Sequence, residues 1–115
     1  MAAGMYRLRL KKGDDYRKDF YLKDSAGAAV DLTGCSFKMQ IRESFSSDVL
    51  VELSTENGKI ESDAENGHIV LVFIPADTSD ASWKKAIYDI ELKNSTDEIQ
   101  TIISGTVDLY AEVTK

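Results

Sequence analysis

The chain has 115 residues, 43% of them hydrophobic and 30% charged, enough for one domain that buries about 65% of its unfolded surface without a metal or disulfide. A net charge of −6 argues against general nucleic-acid binding, which draws its affinity from basic groups that neutralise phosphate. Cys35 and His68 are the sole cysteine and histidine, which excludes an intrachain disulfide and the usual zinc-ligand sets.

The charge is unevenly spread: residues 1–23 carry seven Lys/Arg against three Asp/Glu, and residues 24–115 carry seven against seventeen. Residues 5–12 alternate, with Tyr6, Leu8 and Leu10 on one face and Arg7, Arg9 and Lys11 on the other. That pattern predicts a strand with a basic outer face near a sheet edge, where such charges discourage unwanted pairing. Gly13-Asp14-Asp15 reads as a turn. Residues 16–23 read as a second strand, with Phe20 and Leu22 in phase and Lys18 early on the same face. Asp24-Ser25-Ala26-Gly27 is another turn, followed by a short extended segment over 28–30. Asp31-Leu32-Thr33-Gly34 sets one apolar side chain between turn formers. Leu32 is therefore expected to plug into the core while Asp31 and Thr33 bond the loop backbone.

From Cys35 the alternation is regular, with Cys35, Phe37, Met39 and Ile41 inward and Ser36, Lys38, Gln40 and Arg42 outward. Residues 43–48 form a polar loop with a stray aromatic, Phe45, and 49–54 read as a strand. Asn57-Gly58 and Asn66-Gly67 are turn signals bracketing a short extended piece around Ile60. Residues 68–74 are apolar almost throughout, which predicts a central strand covered on both faces. Pro75 ends it. Residues 76–85 are the one place for helix, one or two turns, with Asp77 or Thr78 as cap and Lys84 and Lys85 suiting the C-terminal end. Trp83 is expected to pack that segment over an open end of the core. In 86–93, Ala86, Tyr88, Ile90 and Leu92 point inward, with Asp89, Glu91 and Lys93 mostly on the other face. A turn, Asn94-Ser95-Thr96-Asp97, leads to a last strand over 99–113, interrupted by Gly105. That glycine marks a bulge or the close approach of another backbone.

Turn signals recurring about every eight to twelve residues, with almost no helix, predict an all-β chain. The expected architecture is an antiparallel β-sandwich of seven to nine strands with one short helical turn near 76–85, a single domain over 1–115. Its expected core includes Phe37, Met39, Ile41, Leu71, Phe73, Tyr88, Ile90 and Leu92.

The chemistry-bearing residues are sparse. His68 has no local nucleophile or orienting carboxylate of the kind Ser-His-Asp chemistry needs. Cys35, in phase with Phe37 and Met39, reads as a buried, inert thiol. Asp89 and Glu91 share a strand face about 7 Å apart, wider than the about 5 Å a retaining glycosidase uses. Asp77 and Asp80, or Asp63 and Glu65, lack EF-hand spacing. The sequon at Asn94 would matter only in a glycosylating pathway. No apolar run reaches the roughly 18 residues of a membrane helix, and the N-terminus lacks the apolar core of a signal peptide. The expectation is a non-enzymatic chain with no catalytic, cofactor or metal site. Among the aromatics Tyr16, Tyr21, Phe45, Trp83 and Tyr110, those least explained by the core pattern are Tyr21 and Phe45. With Arg7, Arg9 and Lys11 they are the candidate interface residues.

Lys12-Gly13-Asp14-Asp15 before a strand, Asp31-Leu32-Thr33-Gly34 leading into Phe37-Lys38-Met39-Gln40-Ile41-Arg42, Ala86-Ile87-Tyr88-Asp89-Ile90-Glu91-Leu92, and the closing Ser104-Gly105-Thr106-Val107 resemble a known pattern. It is that of small bacteriophage and prophage virion proteins with an immunoglobulin-like β-sandwich. The chain is also similar to the N-terminal domain of phage upper baseplate proteins. The resemblance spans nearly the whole chain through turn and strand motifs, and it brings no catalytic residues. It implies a structural protein of a tail, baseplate or neck, made in the bacterial host cytoplasm. Its implied partners are other virion proteins and a second copy of itself, with no nucleic acid or membrane. A carbohydrate- or host-surface-binding sandwich is the second reading.

Overall fold

Alternating apolar residues sort the chain into two facing sheets. The computed structural model describes residues 4–111, in which nine strands are found. In the larger sheet β1 (Gly4–Met5) and β2 (Leu8–Lys11) both lie on β9 (Ile99–Tyr110), which is followed by β8 (Lys85–Lys93), β4 (Ser36–Arg42) and β5 (Val51–Ser54). The smaller sheet runs β3 (Tyr16–Tyr21), β7 (His68–Phe73), β6 (Ile60–Asp63). This pair of strand orders is that of an immunoglobulin-like sandwich. The ladders are antiparallel except at one edge, where β1 and β2 run parallel to β9. A parallel partner needs a long connection rather than a hairpin, and the first and last strands have the whole chain between them.

The core lies between the sheets. Phe37, Met39 and Ile41 of β4 and Tyr88, Ile90 and Leu92 of β8 are buried with Leu71 and Phe73 of β7, so all eight expected core residues are in place. Leu32 is buried as a plug, and Asp31 Oδ1 accepts hydrogen bonds from the Thr33 amide (2.9 Å) and hydroxyl (2.6 Å). Trp83 is buried as part of the core cluster.

Three details differ from expectation, and residues 112 and 113 of the expected last strand lie outside the described residues. The helical stretch is one turn, α1 (Pro75–Thr78), shorter than 76–85. Asp77 accepts the Ile74 amide at 2.9 Å, and buried Thr78 accepts the Gly13 amide at 2.8 Å, so the turn is pinned at both ends. β7 is central in its sheet, with a second sheet on one face only, although Val70 on the other face is also buried and Val72 half-buried. On its outer face Val70 and Val72 sit between Asp19 and Glu61 and beside Arg17 in register, and Arg17 and Glu61 pair at 2.8 Å. Cys35 precedes β4 and is half-buried rather than buried. Lys18, in phase with the apolar face, is accommodated by ring faces: its Nζ lies 4.4 Å from the Tyr6 centroid and 5.5 Å from that of Phe20.

Gly105 marks a close approach. A Cβ there would stand 2.0 Å from the Tyr6 carbonyl oxygen. The bulge lies earlier in β9, where Ile90 pairs with Ile103 and Glu91 with Thr101. The extra residue, Ile102, lets two consecutive isoleucines, Ile102 and Ile103, both reach the interior.

Candidate docking surface

The outer face of the six-stranded sheet is concave. Register sets Gln40, Asp89, Ser104 and Met5 in one row across β4, β8, β9 and β1, with Arg42, Ile87 and Thr106 in the next. The middle of that face carries small residues, Thr101, Ser104, Gly105 and Thr106, with Met5, Arg42 and Phe45 also lining it. The result is a hollow of about 550 Å³. Met5 is 84% exposed and Phe45 92%.

Phe45 is held out rather than left loose. Arg42 Nη1 donates to the Ser47 carbonyl at 2.7 Å and Nη2 to Gln40 Oε1 at 3.1 Å, so β4 grips its own loop. Ser44 and Ser47 close the turn through their hydroxyls at 2.7 Å and a Ser47 amide to Ser44 carbonyl bond at 3.2 Å. Burying a phenylalanine side chain is worth about 1.5–3 kcal/mol, a gain that the exposed ring leaves open to a partner.

The basic edge is only partly free. Arg7 is ion-paired to Asp108, itself only 7% exposed, and Asp108 also has Arg9 and Lys85 as register neighbours. Arg9 and Lys11 are exposed, and among the described residues no ion pair holds them.

Tyr21 lies on the other sheet. It is 62% exposed, and its ring stacks on His68 with centroids 4.4 Å apart and planes 6° from parallel. His68 Nε2 in turn meets Asp19 Oδ1 at 2.7 Å. Tyr21 borders a separate hollow of about 270 Å³ with Met5, Tyr6 and Phe20. The five candidate residues thus occupy three places: Arg9 and Lys11 on β2 with Arg7 just before it, Phe45 at the β4–β5 loop, and Tyr21 on the opposite sheet. Sequence reasoning missed Met5 and the hollow, because its small-residue floor is a property of register and not of any one strand.

Burial, then the nearby Asp31 charge, raises the Cys35 thiol pKa, which disfavours the reactive thiolate. Among the described residues, no group of three or more His, Cys, Asp or Glu is placed to hold a metal ion, and no helix is long and apolar enough to cross a membrane.

No family model and no curated protein matches the chain. Among solved structures it aligns with the extracellular domain of the voltage-gated sodium channel beta4 subunit, a parallel homodimer with a role in cell–cell adhesion. Identity is 12%, coverage 98% of this chain and 97% of that one, and the TM-score 0.48. CopC from Methylosinus trichosporium OB3b aligns at 12% identity over 100% of this chain and 90% of its own, with a TM-score of 0.44.

Proposed function

We propose that the chain is a non-enzymatic assembly module that docks onto another protein through the outer face of its six-stranded sheet. The observation that carries this reading is Phe45, 92% exposed beside a hollow of the sheet face, on a loop that Arg42 ties to β4 through the Ser47 carbonyl. A loop already held by hydrogen bonds loses little further backbone freedom when a partner covers it. The sequence resemblance to phage tail and baseplate proteins supports a place in a virion, with assembly from protein made in the host cytoplasm. The partner in this reading is another virion protein or a second copy of the chain.

The carbohydrate reading ranks second. A sugar platform needs exposed aromatic faces on one concave surface, and the larger hollow offers Phe45 alone. In the smaller hollow the Tyr6 ring is occupied by Lys18 and the edge of Phe20, and Tyr21 already stacks one face on His68.

Co-expression with each protein encoded beside the chain tests the assembly reading. The chain is expected to co-purify with one of them, or to form a defined oligomer alone. Phe45→Ser is expected to lower the bound fraction without changing the melting temperature. A chain that stays monomeric alone and in every pairing would refute the proposal.

A further inference from the structure

The two edges of the six-stranded sheet are built differently. At the β5 edge, Asn57 acts as a clip. Its Oδ1 accepts the Ser54 amide at 2.9 Å and the Lys59 amide at 3.0 Å, and its Nδ2 donates to the Glu52 carbonyl at 3.1 Å. The Ser54 carbonyl takes the Lys59 amide at 3.1 Å. The outward groups that a new strand would pair with are therefore largely occupied, one of the ways proteins blunt an edge.

The β2 edge has no such side-chain clip, and of its outward groups the Lys11 carbonyl accepts the Asp14 amide at 3.2 Å. The Tyr6 amide donates to the Ser104 carbonyl at 3.0 Å and the Lys12 amide to the Tyr110 carbonyl at 2.8 Å. Strand parity then turns the amides and carbonyls of Arg7 and Arg9 away from β9. Among the described residues no strand lies on that side. The side chains beside this open edge are Arg9 and Lys11, exposed on the outer face, and Leu8 and Leu10, buried on the inner one.

We infer that β2 is a strand-addition site for an acidic extended segment of the partner protein, one alternating carboxylate and apolar side chains. Backbone pairing with Arg7 and Arg9 supplies the register. Carboxylates of the added strand face Arg9 and Lys11, and its apolar residues continue the row of Leu8 and Leu10. This assignment rests on the assembly reading above and names its partner chemistry.

The test is amide chemical-shift mapping on the full 15N-labelled chain with a hexapeptide of alternating glutamate and valine. Controls are the lysine–valine hexapeptide and a glutamate–valine hexapeptide N-methylated at alternate backbone amides. Shifts are expected at Arg7, Arg9 and Lys11 with the acidic peptide. N-methylation is expected to weaken binding roughly ten-fold through the lost backbone bonds, as is Arg9→Glu/Lys11→Glu, whose exposed side chains leave the core untouched. Asn57→Ala is expected to add a second set of shifts at Glu52 and Ser54. Equal binding of the N-methylated peptide, or shifts centred elsewhere, would overturn the strand-addition site while leaving docking through the Phe45 face standing. Shifts at the β2 amides that follow protein concentration and ignore the acidic peptide would assign the edge to a second copy, overturning the acidic partner.

Discussion

Tyr6, Gly105 and Tyr88 form one row across the sheet, and each depends on the others. Because Gly105 lacks a side chain, the Tyr6 carbonyl can come into the space a Cβ would fill, and there the Tyr88 hydroxyl donates to it at 2.6 Å. Gly105→Ala forces backbone against side chain and is expected to cost about 1–3 kcal/mol, the range for overpacking a filled site. Tyr88→Phe keeps the ring but strips that carbonyl of its donor, at an expected cost of about 1–3 kcal/mol in urea unfolding. The phenol also gives a pH signature. Burial first, and Tyr6 second, raise the Tyr88 pKa above its ordinary value of 10.0. The unfolded chain ionises first, so this group's contribution to stability is fully present below pH 10 and is lost as pH rises past it. The wild type is expected to lose up to about 1.4 kcal/mol per pH unit there through this group. Alkaline unfolding curves of Tyr88→Phe should show a correspondingly shallower decline; a limb as steep as the wild type's would contradict the assignment.

At the scale of elements, β4 and β8 carry the sandwich, and they are also what the sequence states most clearly. Their inward residues alternate without a break, so period two reports burial directly. Ile90, fully buried between Met39 and Ile103 in register, should lose about 2–5 kcal/mol on replacement by alanine, measured by chemical denaturation. Leu32 was legible too, because turn formers on both sides leave a lone apolar residue nowhere else to go. Alternation does not say which strand lies beside which. The parallel β1 and β2 edge, the grip of Arg42 on the Phe45 loop and the Asn57 clip all arise from pairings between distant segments. The helical turn is shorter than its sequence pattern suggests because its end is set by tertiary anchoring: Thr78 turns inward to accept the Gly13 amide. Thr78→Val, which removes that acceptor at similar volume, should destabilise by about 1 kcal/mol or more.

At the scale of the molecule, the two outer faces are unlike. On the smaller sheet, Arg17 with Glu61 and His68 with Asp19 satisfy one another. The larger sheet keeps an exposed Phe45, an exposed Met5 and, at its edge, two cations, Arg9 and Lys11, that no ion pair holds among the described residues. Charges of this kind speed encounter and fix orientation, while apolar contact holds the complex. Raising salt should therefore slow association more than it speeds dissociation, since exposed charges are screened within about 8–10 Å at physiological ionic strength; stopped-flow mixing at two salt concentrations reads this out. The most direct measurement of all is hydrogen–deuterium exchange on the purified complex against the free chain. Protection is expected over residues 42–48, at Ile87–Glu91 and Thr101–Thr106 around the hollow, and along β2, with the outer face of β3, β7 and β6 unchanged. Protection confined to the Tyr21 and His68 face, with none around Phe45, would contradict docking through the larger sheet.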